Sequence, residues 1–124
     1  MPSLILVMLG GALGSGARHL TGRAMLALFG PDLPWGTLTV NLVGGLLMGM
    51  LVGVLARMSA AEPWRLLLAV GVLGGFTTFS SFSLDVVTLA ERGQVGMAMG
   101  YALVSVAGSV TALVAGLAMT RSWA

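Results

Sequence analysis

Long stretches without a charged residue constrain this chain more than any other feature of its sequence. The three longest uncharged runs, 33–56, 66–84 and 93–120, contain 24, 19 and 28 residues and are strongly apolar. A helix that crosses a bilayer needs about 20 mostly apolar residues. Each of these runs therefore predicts one membrane-spanning helix.

A fourth span is predicted at the N-terminus. The uncharged run between Met1 and Arg18 has only 16 residues, too few to cross a core ~30 Å thick at 1.5 Å per residue. The helix is therefore expected to continue through Arg18 towards Phe29, with Arg18 near one interface or facing protein. A signal peptide has Lys or Arg before its apolar run, and this chain has neither there. We therefore expect the first span to be retained.

Composition supports the same conclusion. The chain has 124 residues, of which 57% are hydrophobic and 8% charged, against about 25% charged in soluble domains. We therefore predict an all-α membrane protein with a single domain, 1–124, that crosses the cell inner (plasma) membrane four times. The expected helices are approximately 3–29, 35–57, 63–91 and 94–120.

Several functional classes are disfavoured by the same composition. The pI near 10.6 comes from six scattered arginines, so the clustered basic surface of a nucleic-acid-binding protein is missing. One histidine and no cysteine argue against a transition-metal site. The four acidic residues are scattered, and no nucleophile has a base at a recognisable spacing, so we do not expect an enzyme.

The arginines give no preferred orientation in the membrane. Lys and Arg normally accumulate in cytoplasmic loops, but here three arginines fall on each side of the predicted bundle: Arg57, Arg65 and Arg121 on one, and Arg18, Arg23 and Arg92 on the other. Two interpretations stay open. Either the small numbers are uninformative, or the chain inserts in both orientations and pairs as an antiparallel dimer.

The segment "GGFTTFSSFS" at 74–83 is the least helix-like part of the third span. Two glycines and five hydroxyl residues weaken a helix and compete for its backbone hydrogen bonds. We therefore predict a break near 74–78. Freed backbone groups are tolerated at membrane depth only inside protein or along a cavity, and freed carbonyls are suitable ligands for a hard alkali cation.

Other polar groups in the spans predict either helix packing or a pathway lining. Asn41 shares a helix face with Thr37 and Gly45, which fits an interhelical contact as well as a lining role. Tyr101, Ser105 and Ser109 recur every four residues and form one hydroxyl stripe, which favours a lining. Phe79 and Phe82 face lipid or core in one interpretation. In the other, their positive ring edges help to attract a small anion without a fixed positive charge.

With these motifs in order, the chain resembles the bacterial fluoride-channel family called Fluc or CrcB. The resemblance covers essentially the whole chain. It rests on "GGALGSGARHL", "GTLTVNLVGGLLMG" and "GGFTTFSSFSLD" in the first three spans, and on the hydroxyl stripe in the fourth. It implies a passive, fluoride-selective channel that exports fluoride from the cytoplasm and lowers its toxicity. It also implies an antiparallel, dual-topology homodimer in the lipid bilayer, with a broken third helix and two pores along the subunit interface.

The resemblance also implies the residues of the site. Backbone carbonyls of Gly74 and Thr77 would hold a structural Na⁺ on the two-fold axis, and Asp85 stands where the family often has the longer Glu. The fluoride pore would be lined by Asn41, Phe79, Phe82, Ser80, Ser81, Ser83, Tyr101, Ser105, Ser109 and, at the vestibule, Arg18.

Two rival functions remain at this point. A small multidrug transporter also has four spans, but it needs a membrane-embedded carboxylate to exchange protons for a drug, and the first predicted helix contains no Asp or Glu. A purely structural membrane subunit is the third possibility. The hydroxyl arrays in the third and fourth spans argue against it.

Overall fold

The computed structural model describes residues 2–121, and every regular element in this range is helical. Three spans are single helices: α1 (Pro2–Phe29), α2 (Trp35–Leu55) and α6 (Val95–Arg121). The third span, Glu62–Glu91, is built from four consecutive pieces: α3 (Glu62–Trp64), the π-helix π1 (Arg65–Leu73), α4 (Gly74–Phe76) and α5 (Phe79–Glu91). All four spans are long and apolar enough to cross a membrane.

Glycines in left-handed conformation end two of the spans. Gly30 follows α1 with a φ of 78°, and Gly93 follows α5 with a φ of 81°. Their N–H groups return to the carbonyls of Leu26 and Ala90, at 2.9 and 3.0 Å. This is the usual way in which a helix satisfies its last carbonyls before the chain turns, and it lets short connections join neighbouring antiparallel spans.

The helices α2 and α6 pack closely because glycines face the partner backbone. A Cβ atom added at Gly45 would lie 2.8 Å from the carbonyl oxygen of Ser109. At Gly49 an added Cβ would overlap the carbonyl oxygen of Leu113 outright. In lipid, where packing rather than hydrophobicity drives helix association, small residues permit this close backbone approach.

Few side chains are buried in the single chain, and the outer surface is apolar. Val40, Leu89 and Ala98 are almost completely buried, whereas Leu28 is 70% exposed and Leu103 is 69% exposed. Large apolar side chains on all four spans face outwards in this way, as a lipid-exposed bundle requires. The chain is a multi-pass membrane protein.

The third span changes its helical winding before it is interrupted. Nine residues of π-helix precede a single α-turn, and π-helical segments are often found at functional sites. Thr77 and Thr78 are then extended, with ψ values of 157° and 120°. The Thr78 hydroxyl accepts the Ser81 N–H at 3.2 Å and so caps the start of α5. We refer to residues 77–78 as the break.

Candidate ion pathway at the break

The break releases backbone carbonyls from helical bonding, and two of them can be traced to redirected N–H groups. In a continuous α-helix each N–H donates to the carbonyl four residues earlier. Here the Thr78 N–H donates to Asn41 Oδ1 at 2.8 Å, so the Gly74 carbonyl loses its helical donor. The Ser81 N–H donates to the Thr78 hydroxyl, so the Thr77 carbonyl loses its donor as well. These are the two carbonyls that the family resemblance implies as cation ligands.

Asn41 on α2 satisfies both backbone groups of Thr78. Its Oδ1 accepts the Thr78 N–H, and its Nδ2 donates to the Thr78 carbonyl at 3.1 Å. A primary amide has two N–H bonds to donate, so one remains beyond this reciprocal pair. Asn41 therefore fastens α2 to the break and still has a donor to offer to the adjoining groove.

A groove of about 370 Å³ opens beside the break between α2, α5 and α6. We call it the break groove. It brings together five of the predicted pore residues: Asn41, Phe79, Phe82, Ser105 and Ser109. Thr77 and Thr78 also border it, and its lining contains no charged side chain in the part of the chain that the structure describes. The groove is therefore largely apolar, with a few neutral polar groups and no fixed charge.

Three aromatic rings stand in series at the groove. The ring centroids of Phe79 and Phe82 are 5.6 Å apart, and those of Phe82 and Tyr101 are 5.5 Å apart, with tilted planes in both pairs. Phe79 is 76% exposed, whereas Tyr101 is buried behind Phe82 and does not line the groove. The tilted arrangement turns ring edges, which carry partial positive charge, towards neighbouring groups.

Tyr101 is bonded to the acid of the third span. Its hydroxyl donates to Asp85 Oδ2 at 3.0 Å. Asp85 lies within the third span, Glu62–Glu91. Within residues 2–121 its hydrogen-bond partner is this phenol, and no arginine lies within ion-pair distance of it. The Tyr101 proton is therefore engaged with a carboxylate.

Ser105 places a buried hydroxyl at the groove. The residue is only 4% exposed, and its hydroxyl lies beside the Tyr101 hydroxyl without a hydrogen-bond partner among the described residues. Ser109, one turn further along α6, lies on the same face and also lines the groove. Leaving a buried hydroxyl unpaired costs about 1–3 kcal/mol, so the arrangement favours a ligand that accepts its proton.

Two other predicted pore residues lie outside the break groove. The Ser83 hydroxyl donates to the Phe79 carbonyl at 3.0 Å, a local bond within α5. Ser80 is exposed, and its hydroxyl oxygen lies 3.2 Å from that of Thr78. In the single chain, neither residue contributes to the groove lining.

Ser81 and Arg18 line a different cavity of about 290 Å³. We call it the arginine cavity, because Arg18, His19 and Arg23 all border it. Arg18 also reaches the third span, where its Nε donates to the Gly75 carbonyl at 3.0 Å. Thr78 borders both cavities, so the break separates a basic space from the uncharged groove.

Thr78 is the residue of this site that the sequence did not single out. It caps α5, pairs with Asn41 in both directions and lies between the two cavities. A local signal was available, since Thr is favoured at a helix N-cap and here follows a glycine-rich segment. The pairing with Asn41, 37 residues away, has no local signal.

Comparison with known proteins decides the family. The family model described as "CrcB-like protein, Camphor Resistance (CrcB)" matches residues 5–117. The chain belongs to the CrcB family. The matched range contains the break, the break groove and the arginine cavity, so all of the geometry described above belongs to the CrcB part of the chain.

Relatives of this CrcB chain carry a functional name. The chain is 51% identical to a protein of Mesorhizobium japonicum over 98% of both chains. It is 56% identical to a protein of Sphingopyxis alaskensis, over 98% of this chain and 97% of the relative. A protein of Chelativorans sp. is also 56% identical, over 98% of both chains. Each relative is named "Fluoride-specific ion channel FluC", which describes a channel and not an enzyme.

Proposed function

We propose that this CrcB-family protein is a fluoride channel that lets fluoride leave the cytoplasm passively, down its electrochemical gradient. The observation that carries the proposal is the break groove, where a free hydroxyl, an amide and two phenyl rings meet without a charged residue. The names of relatives that match the chain over nearly its whole length support the same function.

The groove has the chemistry that a small, strongly hydrated anion needs. To pass through a narrow path, fluoride must exchange its water for donors at close range. The Ser105 hydroxyl and the remaining N–H of Asn41 provide such donors, and the edges of Phe79 and Phe82 add weak positive potential. Conduction requires sites weak enough to release the ion. A groove without arginine meets this condition, and chloride is excluded by its larger size.

In this proposal a second copy in antiparallel orientation completes the pathway. Phe79 is 76% exposed beside the groove, and Gly74, whose carbonyl is released, is exposed too. The released carbonyl needs a partner in a membrane, and a second copy would supply that surface and cover Phe79 as well. The equal distribution of arginines on the two sides of the bundle supports insertion in both orientations. The homodimer then places two pores along its interface.

The freed carbonyls also fit a structural cation. Carbonyl oxygens of Gly74 and Thr77 are hard, neutral donors, of the kind that replaces the hydration shell of alkali ions in filters. Two copies would contribute four such oxygens at the two-fold axis. A sodium ion bound there would supply positive charge between the two anion paths. Among the described residues no cluster of three His, Cys or acidic side chains offers a competing metal site.

The structure gives the drug-transporter alternative less support than the channel. Residues 2–29 form one helix without a carboxylate. Asp85, the acid in the third span, is hydrogen-bonded to Tyr101 on the adjacent α6 and is 16 residues away from it in sequence. A proton-coupled drug site requires a titrating carboxylate that faces a cavity for the drug. The break groove has no acid in its lining. Asp85 and Asp32 border a separate cavity of about 320 Å³ beside the connection between α1 and α2, where Arg92 also lies.

A flux assay tests the proposal. Purified protein is reconstituted into liposomes loaded with potassium fluoride, and external fluoride is followed with an electrode after valinomycin is added to release the charge. We expect a fast efflux that depends on valinomycin, and no comparable efflux from liposomes loaded with potassium chloride. A well-folded dimer that releases no fluoride would contradict the proposed function.

A further inference from the structure

Hydrogen bonds from two other spans converge on the break. Among residues 2–121, three bonds join a side chain of one span to the backbone of another, and all of them end at Gly75 or Thr78. Asn41 forms two of them, and Arg18 of α1 forms the third. The interruption in the third span is therefore held by side chains from both sides.

Glycine packing brings Arg18 within reach of the break. Gly10, Gly14 and Arg18 follow one another at four-residue intervals and share one face of α1. A Cβ added at Gly10 would lie 2.9 Å from the Cα of Gly71, and one at Gly14 would lie 2.9 Å from the N atom of Phe76. The two backbones thus run in contact up to the turn before Arg18, and the next residue on that face is the arginine.

The bond that Arg18 makes is a backbone bond and not an ion pair. In the described part of the chain the one salt bridge joins Glu62 to Arg65, and no carboxylate pairs with Arg18. Its Nε donates to the Gly75 carbonyl at 3.0 Å. In a continuous helix that carbonyl would accept from the N–H of Phe79, but Phe79 is the first residue of α5, after the break.

The Gly75 carbonyl lies between the two proposed cation ligands in the sequence. The carbonyls of Gly74 and Thr77 are released by the redirected N–H groups of Thr78 and Ser81. The carbonyl of Gly75 is also without its helical donor, and Arg18 occupies it. One occupied carbonyl among the released ones fixes the direction of the peptide that joins Gly75 to Phe76.

We propose that Arg18 is a positioning residue that locks the break by holding the Gly75 carbonyl, so that the carbonyls of Gly74 and Thr77 alone face the cation. This inference rests on the proposed cation site and goes beyond the vestibule role that the family resemblance implies for Arg18. Without this bond, the Gly75 carbonyl turns to water or to the cation, and the break samples more than one backbone arrangement.

Three substitutions separate the donor of Arg18 from its charge. In Arg18→Gln, Nε2 is as many bonds from Cα as the Nε that makes the bond, so the donor is kept and the charge is lost. Arg18→Met has the same length with neither donor nor charge. Arg18→Lys keeps the charge but places its donor one atom further along the chain. All three are purified as the full chain in detergent, and the dimer is verified by size-exclusion chromatography.

The first readout is amide hydrogen exchange in peptides that cover residues 73–82. We expect exchange in Arg18→Met to be about 10-fold faster than in the wild type, which corresponds to about one lost hydrogen bond. Arg18→Gln should stay within about twofold of the wild type. The second readout is the sodium concentration that gives half of the thermal stabilisation, at constant ionic strength with N-methyl-D-glucamine chloride. This sodium concentration should rise about 10-fold in Arg18→Met and should not change in Arg18→Gln.

The outcomes distinguish this inference from the proposed function. If Met and Gln variants both exchange like the wild type, Arg18 does not position the break. If Arg18→Met and Arg18→Gln both exchange faster than the wild type while Arg18→Lys exchanges at the wild-type rate, the charge of Arg18 is the determining feature. That result overturns the inference. A Met variant that fails to fold while the Gln variant folds supports the need for the donor. Wild-type protein that conducts fluoride but shows no sodium effect refutes the cation site, and the exchange data still decide the role of Arg18. Absence of fluoride flux in the wild type refutes the proposed function separately.

Discussion

Ser105→Ala should slow fluoride conduction without destabilising the protein. The Ser105 hydroxyl is buried in the lining of the break groove and has no hydrogen-bond partner within the described residues. Removing it therefore loses only the contact with the Tyr101 hydroxyl and relieves a buried donor of its cost. We expect the thermal unfolding midpoint of the purified protein to stay the same or to rise.

The size of the effect on conduction follows from the bond that an anion would lose. A hydrogen bond to a charged group contributes about 1.5–3 kcal/mol, and about 1.4 kcal/mol corresponds to a factor of ten. The single-channel fluoride current in planar bilayers should therefore fall roughly 10- to 100-fold.

Ser83→Ala is the matched control. It also removes one serine hydroxyl from the bundle, but that hydroxyl bonds to the Phe79 carbonyl inside α5 and does not line the groove. Its current should equal that of the wild type. An unchanged current in Ser105→Ala, or an equal decrease in both variants, would refute a role for the Ser105 hydroxyl as an anion donor.

Three further predictions follow from the same geometry. Phe79→Ala and Phe82→Ala should each reduce fluoride flux in liposomes while the dimer persists in size-exclusion chromatography; wild-type flux in both would remove the rings from the pathway. Gly49→Ala should lower the free energy of unfolding by about 1–3 kcal/mol, because its Cβ would overlap the Leu113 carbonyl. Gly100→Ala, where a Cβ meets no atom within 4 Å, should be neutral in the same thermal unfolding assay. Accessibility labels at the two chain ends should react from both sides of the membrane in cells, and a uniform orientation would contradict dual topology.

The spans are the part of the fold that the sequence predicts best. A charge-free apolar run has one stable solution in a bilayer, because a helix satisfies its own backbone groups. Runs such as 33–56 and 93–120 therefore indicate a helix each, whatever surrounds them. Asn41 and Ser105 of the break groove were also recognisable as candidate site residues. A polar side chain inside an apolar membrane span is costly and therefore indicates a function.

Contacts between distant residues could not be predicted in this way. Asn41 pairs with Thr78 across 37 positions, and Arg18 reaches Gly75 across 57. No periodicity of one helix encodes which backbone group on another helix lies opposite. The π-helical winding of π1 (Arg65–Leu73) has no signature in residue type either, because its apolar residues suit an α-helix equally well.

Selectivity is the property that tests the proposed channel most directly, and the reversal potential measures it. Purified protein is incorporated into a planar bilayer with potassium fluoride on one side and potassium chloride at equal concentration on the other. Each tenfold difference in permeability shifts the potential by about 59 mV. A fluoride-selective pathway predicts a reversal potential displaced by more than about 100 mV in the direction of fluoride permeability. A reversal potential near zero, with currents of similar size in both directions, would contradict a fluoride-selective pathway through the break groove.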